Sequence, residues 1–214
     1  MQIPKTFFFQ FNLKTNIKFS CVTFAILILS LNLFNDTSKM DLHSPYQNVS
    51  VKFNNNQLTP ITVQSNNIWL QTPIDLSNKI NQEKNSTWHK FYIIPFTSTN
   101  YDFKDILIVG SGTGNDVATA IRYSEGNIDA VEIDPLVANL GEKFHPENPY
   151  SNPRVNLIIN DARNFIKEID KKYDLIVYSV LDSHANLSSK GGVRLDSYVY
   201  TVESFYEAKK KLRP

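Results

Sequence analysis

The segment from Asp105 to Ala120 constrains the fold of this chain more than any other stretch of its sequence. It reads "DILIVGSGTGNDVATA", an apolar run, then three glycines within five residues, then a helical pattern. The chain has only seven glycines, and none precedes Gly110. Because glycine is used so sparingly, Gly110, Gly112 and Gly114 indicate a turn whose backbone geometry requires them. The segment therefore predicts a strand, a tight turn and a helix in succession.

Residues after Lys104 alternate between predicted strands and predicted helices. Four apolar runs are typical of strands that are covered on both faces, and each is followed by a helical pattern. The strands are predicted at 105–110, 128–134, 155–160 and 173–180, and the helices at 115–124, 135–144, 162–170 and 201–212. This order predicts an α/β fold with a Rossmann-like parallel sheet and right-handed crossovers. Since no further strand follows, we expect residues 104–214 to form a C-terminally incomplete domain, truncated after the fourth strand and its helix.

The preceding region, residues 44–96, predicts a small N-terminal antiparallel β-domain. It contains short alternating runs with β-branched residues and no glycine, a pattern typical of strands. These runs lie at 48–53, 58–64 and 67–71. Residues 80–88 are predicted to be a polar connector, and 90–96 lead from it into the α/β region.

The N-terminus consists of a basic tail, residues 1–18, and an apolar segment, residues 19–35, that carries no formal charge. As a helix this segment would span about 25 Å, slightly less than the roughly 30 Å of a bilayer's hydrocarbon core. A signal peptide, a short membrane anchor and the last span of a larger membrane protein all remain open. We expect a membrane anchor or remnant transmembrane span. By the positive-inside rule, the lysines of the tail would place the domain on the non-cytoplasmic side of the membrane. If the segment is the last span of a longer protein, these lysines no longer decide the orientation, and we expect the domain to face the cytoplasm.

Composition excludes several functional classes. A formal net charge of +1 gives no electrostatic support for nucleic-acid binding. The four histidines share no metal-ligand spacing, so we expect no metal site. A single cysteine, Cys21, rules out an internal disulfide framework.

The spacing of the glycines bears on the ligand that such a turn could bind. Backbone amides of the turn and the N-terminus of the helix would meet at the C-terminal edge of the sheet, where nucleotides bind in folds of this type. The dinucleotide fingerprint is G-x-G-x-x-G, whereas here the spacing is G-x-G-x-G, with Asn115 at the place of the third glycine. The pattern favours an S-adenosyl-type ligand over NAD, with a purely structural turn as the alternative.

Acidic residues follow the next two predicted strands. Glu132 lies 22 residues after Gly110 and could accept hydrogen bonds from both ribose hydroxyls of a nucleoside. Because Glu132 and Asp134 alternate with apolar residues, we expect one to face the ligand and the other to be a solvated strand end. Asp161 either accepts from an adenine amino group or caps the helix that begins at Ala162. Three signals at successive strand ends together predict a nucleoside pocket.

These motifs occur in the order and spacing of the spermidine synthase family. They are "DILIVGSGTGNDVATAIRY", "VEIDP", "NDARNFI" and "YDLIVYSVLDSH", with "SPYQNVSV" upstream. From about Ser44 to Pro214 the chain resembles this family of polyamine aminopropyltransferases, and most closely its bacterial membrane-fused members. The resemblance implies an S-adenosylmethionine-methyltransferase-like fold and possible homodimers. It also implies that decarboxylated S-adenosylmethionine donates an aminopropyl group to a diamine such as putrescine.

The resemblance also implies binding roles for individual residues. Gln47 of "SPYQ" would contact the donor, Glu132 would bind its ribose, and Asp161 with Ala162 would bind its adenine. The family's glycine turn carries an aspartate that binds the donor's amino group, and this chain has Thr113 at that position.

The catalytic segment departs further from the family pattern. After the fourth strand the family has D-S-S-D, and its first aspartate is the base that deprotonates the attacking amine. Here the run is "SVLD", so Ser179 stands at the position of the base and only Asp182, the amine-binding partner, is kept. A serine hydroxyl is not a base at neutral pH, so Asp182 is the candidate to take over that role. The family's tyrosine-glutamine pair is also absent, and "TWHKF" at 87–91 occupies that region.

Three functions therefore stay open. The first is a spermidine synthase-like transferase that uses decarboxylated S-adenosylmethionine. The second is an S-adenosylmethionine-dependent methyltransferase, which Thr113 favours because it changes how the donor's amino-acid end is held. The third is a non-catalytic, membrane-tethered nucleoside-binding module, which Ser179 favours.

Overall fold

The computed structural model describes residues 21–24, 38–66, 68–180 and 198–214. The chain divides into two units, Met1–Thr37 and Ser38–Pro214. In the first unit, the predicted basic tail and most of the predicted apolar segment lie outside the described residues. Within the described ranges, no helix is long and apolar enough to cross a membrane.

The second unit begins with a four-stranded antiparallel sheet. Its strands are β1 (Lys39–His43), β2 (Asn48–Phe53), β3 (Ile61–Ser65) and β4 (Ile68–Gln71), paired in chain order. Strand β1 lies before the predicted start of the β region at residue 44. Its sequence, "KMDLH", is largely exposed at a sheet edge, so it lacks the apolar alternation that marks a half-buried strand.

Two helices follow where a polar connector was predicted, so that prediction is wrong. Helix α1 (Lys79–Lys84) begins after Asn78, whose side chain accepts a hydrogen bond from the backbone of Asn81. Helix α2 (Ser86–Thr97) is rich in aromatic and β-branched residues, which are more typical of strands. Its two buried residues, Tyr92 and Phe96, are four positions apart, which is the spacing of one helical face.

The α/β part confirms the predicted parallel sheet. Four strands pair in parallel in the order β7-β6-β5-β8. They are β5 (Asp105–Val109), β6 (Asn127–Glu132), β7 (Val155–Ile159) and β8 (Leu175–Tyr178), and the helices are α3 (Asn115–Tyr123), α4 (Pro135–Phe144), α5 (Ala162–Glu168) and α6 (Val202–Lys210). The chain leaves β5 towards β6 and returns to its other side as β8. This reversal creates a crevice at the C-terminal end of β5, where open α/β sheets bind ligands.

The parallel sheet is buried on both faces, as the continuous apolar runs predicted. On one face Ile106 and Ile108 of β5 pack with Val117 and Ala120 of α3. On the other, Leu107 and Val109 pack in a cluster with residues of α5 and α6. All four side chains of β5 from residue 106 to residue 109 are fully buried, so this strand is the rigid support of the turn that follows it.

The antiparallel sheet is attached to the parallel part through α4. Four buried side chains from β2 and β3 form one apolar cluster with Leu140, which lies on α4. The four are Val49, Val51, Ile61 and Val63. This contact brings the ends of β1 and β4 to the C-terminal edge of the parallel sheet.

Candidate nucleoside and amine site

A cavity of about 580 Å³ opens at the C-terminal edge of the parallel sheet. Its wall is made by the ends of β5, β6 and β8, by the first turns of α3 and α5, and by β4 and α2 from the N-terminal region. The cavity is thus enclosed by both sheets, and it lies at the crevice beside β5.

The glycine turn between β5 and α3 has the unusual backbone that its composition predicted. Gly110, Gly112 and Gly114 have φ angles of 75°, 58° and 104°, in the left-handed region that favours glycine. A Cβ atom at Gly112 would collide with the side-chain oxygen of Gln71. Gly110 and Gly112 line the cavity, whereas Gly114 lies outside its wall and precedes the first residue of α3.

Glu132 is held at the cavity by two backbone amides. Its Oε2 accepts a hydrogen bond from the amide of Gly112 at 2.8 Å, and its Oε1 accepts from the amide of Asp134 at 2.9 Å. Burial raises the pKa of this carboxyl, and the two amides act in the opposite direction. A carboxylate has about four acceptor positions, so two stay available for a ligand in the cavity.

With Glu132 facing the ligand, Asp134 was expected to be the solvated strand end, and that expectation is wrong. Its side chain is buried and lines the cavity. Oδ1 caps α4 by accepting from the amide of Leu136, while Oδ2 accepts from the Ser44 hydroxyl at 2.7 Å and from Gln47 Nε2 at 3.0 Å. Asp134 therefore holds Gln47, which also lines the cavity.

Asp161 caps the helix that follows it and also lines the cavity. Its Oδ1 accepts from the amide of Asn164 at 2.9 Å and so caps α5. The residue is also exposed on the cavity wall, together with Ala162. Asp161 and Ala162 thus come next to Glu132 and Gly112, and all four border one space.

Thr113 lies behind the cavity wall rather than in it. Its backbone amide and its hydroxyl both donate to Gln71 Oε1, at 2.7 Å and 2.9 Å. Gln71 itself lines the cavity. Sequence reasoning missed Gln71, and the available signal was a polar residue that ends the strand pattern "NIWLQ".

Asp116 is a second residue of the site that the sequence analysis missed. It lies in the first turn of α3, it is only 6% exposed, and it lines the cavity. Burial raises the pKa of its carboxyl to about 6, and the nearby Ser179 hydroxyl partly offsets that effect. An acidic residue in a first helical turn usually indicates only a favourable interaction with the helix dipole, so the pattern gave no sign of a site.

Ser179 directly follows β8 and lines the cavity. Its hydroxyl is buried and forms no hydrogen bond of normal geometry with the described residues, although it is close enough to lower the pKa of Asp116. Its backbone oxygen accepts from the Tyr200 hydroxyl at 2.6 Å. Asp182 lies outside the described residues.

Aromatic side chains from β4 and α2 form one wall of the cavity. The ring of Trp88 lies between those of Trp69 and Tyr92, with centroid distances of 5.7 Å and 6.2 Å. Phe91 packs edge-on against both Trp88 and Tyr92. Faces of aromatic rings carry negative potential and attract cations.

All charged side chains among the described residues of the cavity wall are acidic. The described lining residues include four carboxylates, Asp116, Glu132, Asp134 and Asp161, and no lysine, arginine or histidine. Burial strengthens electrostatic interactions, so such a cavity attracts a cationic ligand and repels an anionic one. Among the described residues there is also no group of three or more histidines, cysteines or acids that could hold a metal ion.

Comparisons with known proteins agree with this architecture. The family model of the spermine/spermidine synthase domain matches residues 89–214. The polyamine aminopropyltransferase of Clostridium perfringens is 34% identical over 98 residues, which cover 44% of this chain and 35% of that protein. The chain thus spans about a third of the length of the curated relatives it matches.

Two solved structures show the same fold. The spermidine synthase of Thermotoga maritima has a TM-score of 0.62 at 15% identity, and the match covers 81% of this chain and 53% of that one. A spermidine synthase in complex with the transition-state analogue AdoDATO has a TM-score of 0.61 at 15% identity, covering 81% and 54%. With the family model matching more than half of its residues, this chain belongs to the spermine/spermidine synthase domain family.

Proposed function

We propose that this chain binds decarboxylated S-adenosylmethionine and transfers its aminopropyl group to a diamine such as putrescine. The observation that carries the proposal is the composition of the cavity wall, which has four carboxylates, several aromatic rings and no cationic side chain among its described residues. The donor carries a sulfonium and an ammonium group, and the acceptor is a dication at neutral pH. Both substrates therefore match the charge of this cavity.

The nucleoside half of the donor fits the side of the cavity built by β5, β6 and α5. Glu132 accepts from the ribose hydroxyls with the two acceptor positions that Gly112 and Asp134 leave available. Asp161 and Ala162 border the same space and would bind the adenine. The turn at Gly112 lets the backbone approach the ligand closely.

The sulfonium and aminopropyl half fits the opposite side, between the aromatic wall and α3. Trp69, Trp88 and Tyr92 line the cavity on this side, and aromatic rings attract a sulfonium charge. In the reaction the acceptor's nitrogen lone pair forms a bond to the carbon next to sulfur. The carbon–sulfur bond breaks, and its electron pair stays on sulfur, leaving 5′-methylthioadenosine. The acceptor nitrogen must lose a proton, so a base near this carbon accelerates the step.

Charge also separates this function from methyl transfer. S-adenosylmethionine carries a carboxylate that its decarboxylated form lacks. That carboxylate would enter a cavity with four acidic side chains and no described cation to pair with it, and a buried anion without a partner is costly. The cavity therefore favours the decarboxylated donor.

Calorimetry with the two donors tests the proposal directly. Decarboxylated S-adenosylmethionine should bind at least tenfold more tightly than S-adenosylmethionine, and incubation with putrescine should yield spermidine and 5′-methylthioadenosine by mass spectrometry. Tighter binding of the carboxylated donor would favour a methyltransferase. Binding of the decarboxylated donor without any product would favour a non-catalytic nucleoside-binding module.

We also propose that residues 19–35 hold the domain at a membrane, with the domain facing the cytoplasm, and that the chain forms a homodimer. The membrane anchor is supported by a run of 17 residues without formal charge. The cytoplasmic orientation is supported by the cytosolic origin of the donor. The homodimer is supported by the family resemblance alone. Cell fractionation of the chain with and without residues 1–37 tests the anchor, and sedimentation tests the dimer. Recovery of the full chain in the soluble fraction would refute the anchor.

A further inference from the structure

Asp116 is a buried carboxylate that faces the cavity without a cationic partner among the described residues. It is 6% exposed and lines the wall where α3 begins. None of the ion pairs between described side chains includes it. Glu132 and Asp134 also form no ion pair among the described residues, but backbone amides donate to both of them.

The neighbours of Asp116 identify the half of the cavity that it serves. Ser179, at the end of β8, lies close enough to lower the pKa of the Asp116 carboxyl. Burial is the main cause that raises the pKa of Tyr92, on the aromatic wall, and the negative charge of Asp116 adds to it. Asp116 therefore lines the cavity near both the aromatic wall and the end of β8.

We propose that Asp116 binds the attacking amine of the acceptor and takes up its proton, the role that Ser179 cannot perform. This inference rests on the proposed aminopropyl transfer and adds the residue that makes the acceptor a nucleophile. The amine's N–H proton moves to Asp116 Oδ, the nitrogen lone pair forms the new carbon–nitrogen bond, and the carbon–sulfur bond breaks towards sulfur. The proton then leaves Asp116 for solvent.

The environment of Asp116 suits a group that changes protonation state. Burial raises its pKa to about 6, which makes the carboxylate a stronger base than an exposed aspartate. The described titratable groups that its charge affects are the phenols of Tyr92 and Tyr150. Burial raises the pKa of both phenols, so neither ionises in the same pH range.

The test compares the full chain with Asp116→Asn, which keeps the size of the side chain and removes its charge. The kcat/KM for putrescine should fall at least 100-fold, the lower end of the usual effect of a general base. The affinity for 5′-methylthioadenosine, measured by calorimetry, should change less than threefold. Asp170→Asn, an exposed aspartate outside the cavity, is the matched control and should keep the wild-type rate.

A pH profile gives a readout that a structural role would not affect. In the wild-type chain kcat/KM should rise with pH through a midpoint near 6, since only the deprotonated carboxylate can accept a proton, and Asp116→Asn should lack this limb. Retention of half of the wild-type rate by Asp116→Asn, or a wild-type profile without this limb, would overturn the assignment.

If the wild-type chain transfers nothing, the proposed function fails. In that case, calorimetry with putrescine on the protein saturated with 5′-methylthioadenosine tests whether Asp116 binds the amine. Equal affinities of wild type and Asp116→Asn would refute amine binding.

Discussion

The carboxylate of Glu132 shows how one side chain can serve structure and binding together. Each of its oxygens accepts one backbone amide, from Gly112 and from Asp134. These bonds hold the glycine turn against the end of β6, and they fix the direction in which the remaining lone pairs point. A ligand that reaches these lone pairs meets an acceptor already in position.

Replacement of this carboxylate should therefore weaken nucleoside binding. In Glu132→Gln one acceptor oxygen becomes a donor NH₂, which cannot accept from a backbone amide or from a ribose hydroxyl. Hydrogen bonds to charged groups contribute about 1.5–3 kcal/mol, so affinity for 5′-methylthioadenosine should fall about 10-fold to 100-fold. Calorimetry measures the change, and an affinity within twofold of the wild type would show that Glu132 does not bind the ligand.

At the scale of elements, the start of α3 is the junction of the N-terminal region with the α/β part. Asn115 Oδ1 accepts from the amide of Ile74 and from the ring of His145, and Nδ2 donates to the backbone oxygen of Thr72 and to the hydroxyl of Tyr92. The sequence showed Asn115 only as a departure from the dinucleotide fingerprint. The structure gives the physical reason, because its amide joins α3 to three other parts of the chain, namely residues 72–74, Tyr92 and His145.

Loss of this amide should be costly for stability. Asn115→Ala leaves several buried partners without a hydrogen bond, and each unsatisfied group costs about 1–3 kcal/mol. We expect the free energy of unfolding to fall by about 3 kcal/mol or more, as measured by urea titration. Asn55→Ala, at an exposed position, is the control and should change it by less than about 0.5 kcal/mol.

The elements that sequence could predict are those with strong local patterns. The strands and helices of residues 104–214 follow from apolar runs and helical spacing, and Glu132 and Asp161 follow from the rule that parallel strands end at one edge. Asp116, Gln71 and the aromatic wall could not be predicted this way. Their position in the site depends on the packing of β4 and α2 against α3, which no short-range pattern encodes.

At the scale of the whole molecule, the cavity exists because two sheets are attached to each other. Gln47 and Gln71 come from the antiparallel sheet, whereas Glu132 and Asp116 come from the α/β part. The apolar cluster around Leu140 of α4 joins the two. The geometry of the site therefore depends on a contact whose buried residues lie outside the wall, with Leu70 packed against that contact and lining the cavity.

Loss of the Leu140 side chain at this contact should affect stability and binding together. Leu140→Ala removes a buried side chain and should lower the free energy of unfolding by about 2–5 kcal/mol. Because the small sheet is then less firmly attached, affinity for 5′-methylthioadenosine should also fall, although no ligand contact is removed. Urea titration and calorimetry measure the two effects, and unchanged affinity in a destabilised variant would show that the small sheet is not needed for nucleoside binding.

The two tryptophans of the aromatic wall should make ligand binding visible by fluorescence. Trp69 and Trp88 are the only tryptophans in the sequence, both line the cavity, and they are 42% and 37% exposed. Every indole in the protein is thus placed where a ligand would displace solvent and bring a positive sulfur close to the rings. Intrinsic fluorescence should therefore report occupancy of the site without any label, with quenching by the sulfonium donor and a shift to shorter wavelength as water leaves.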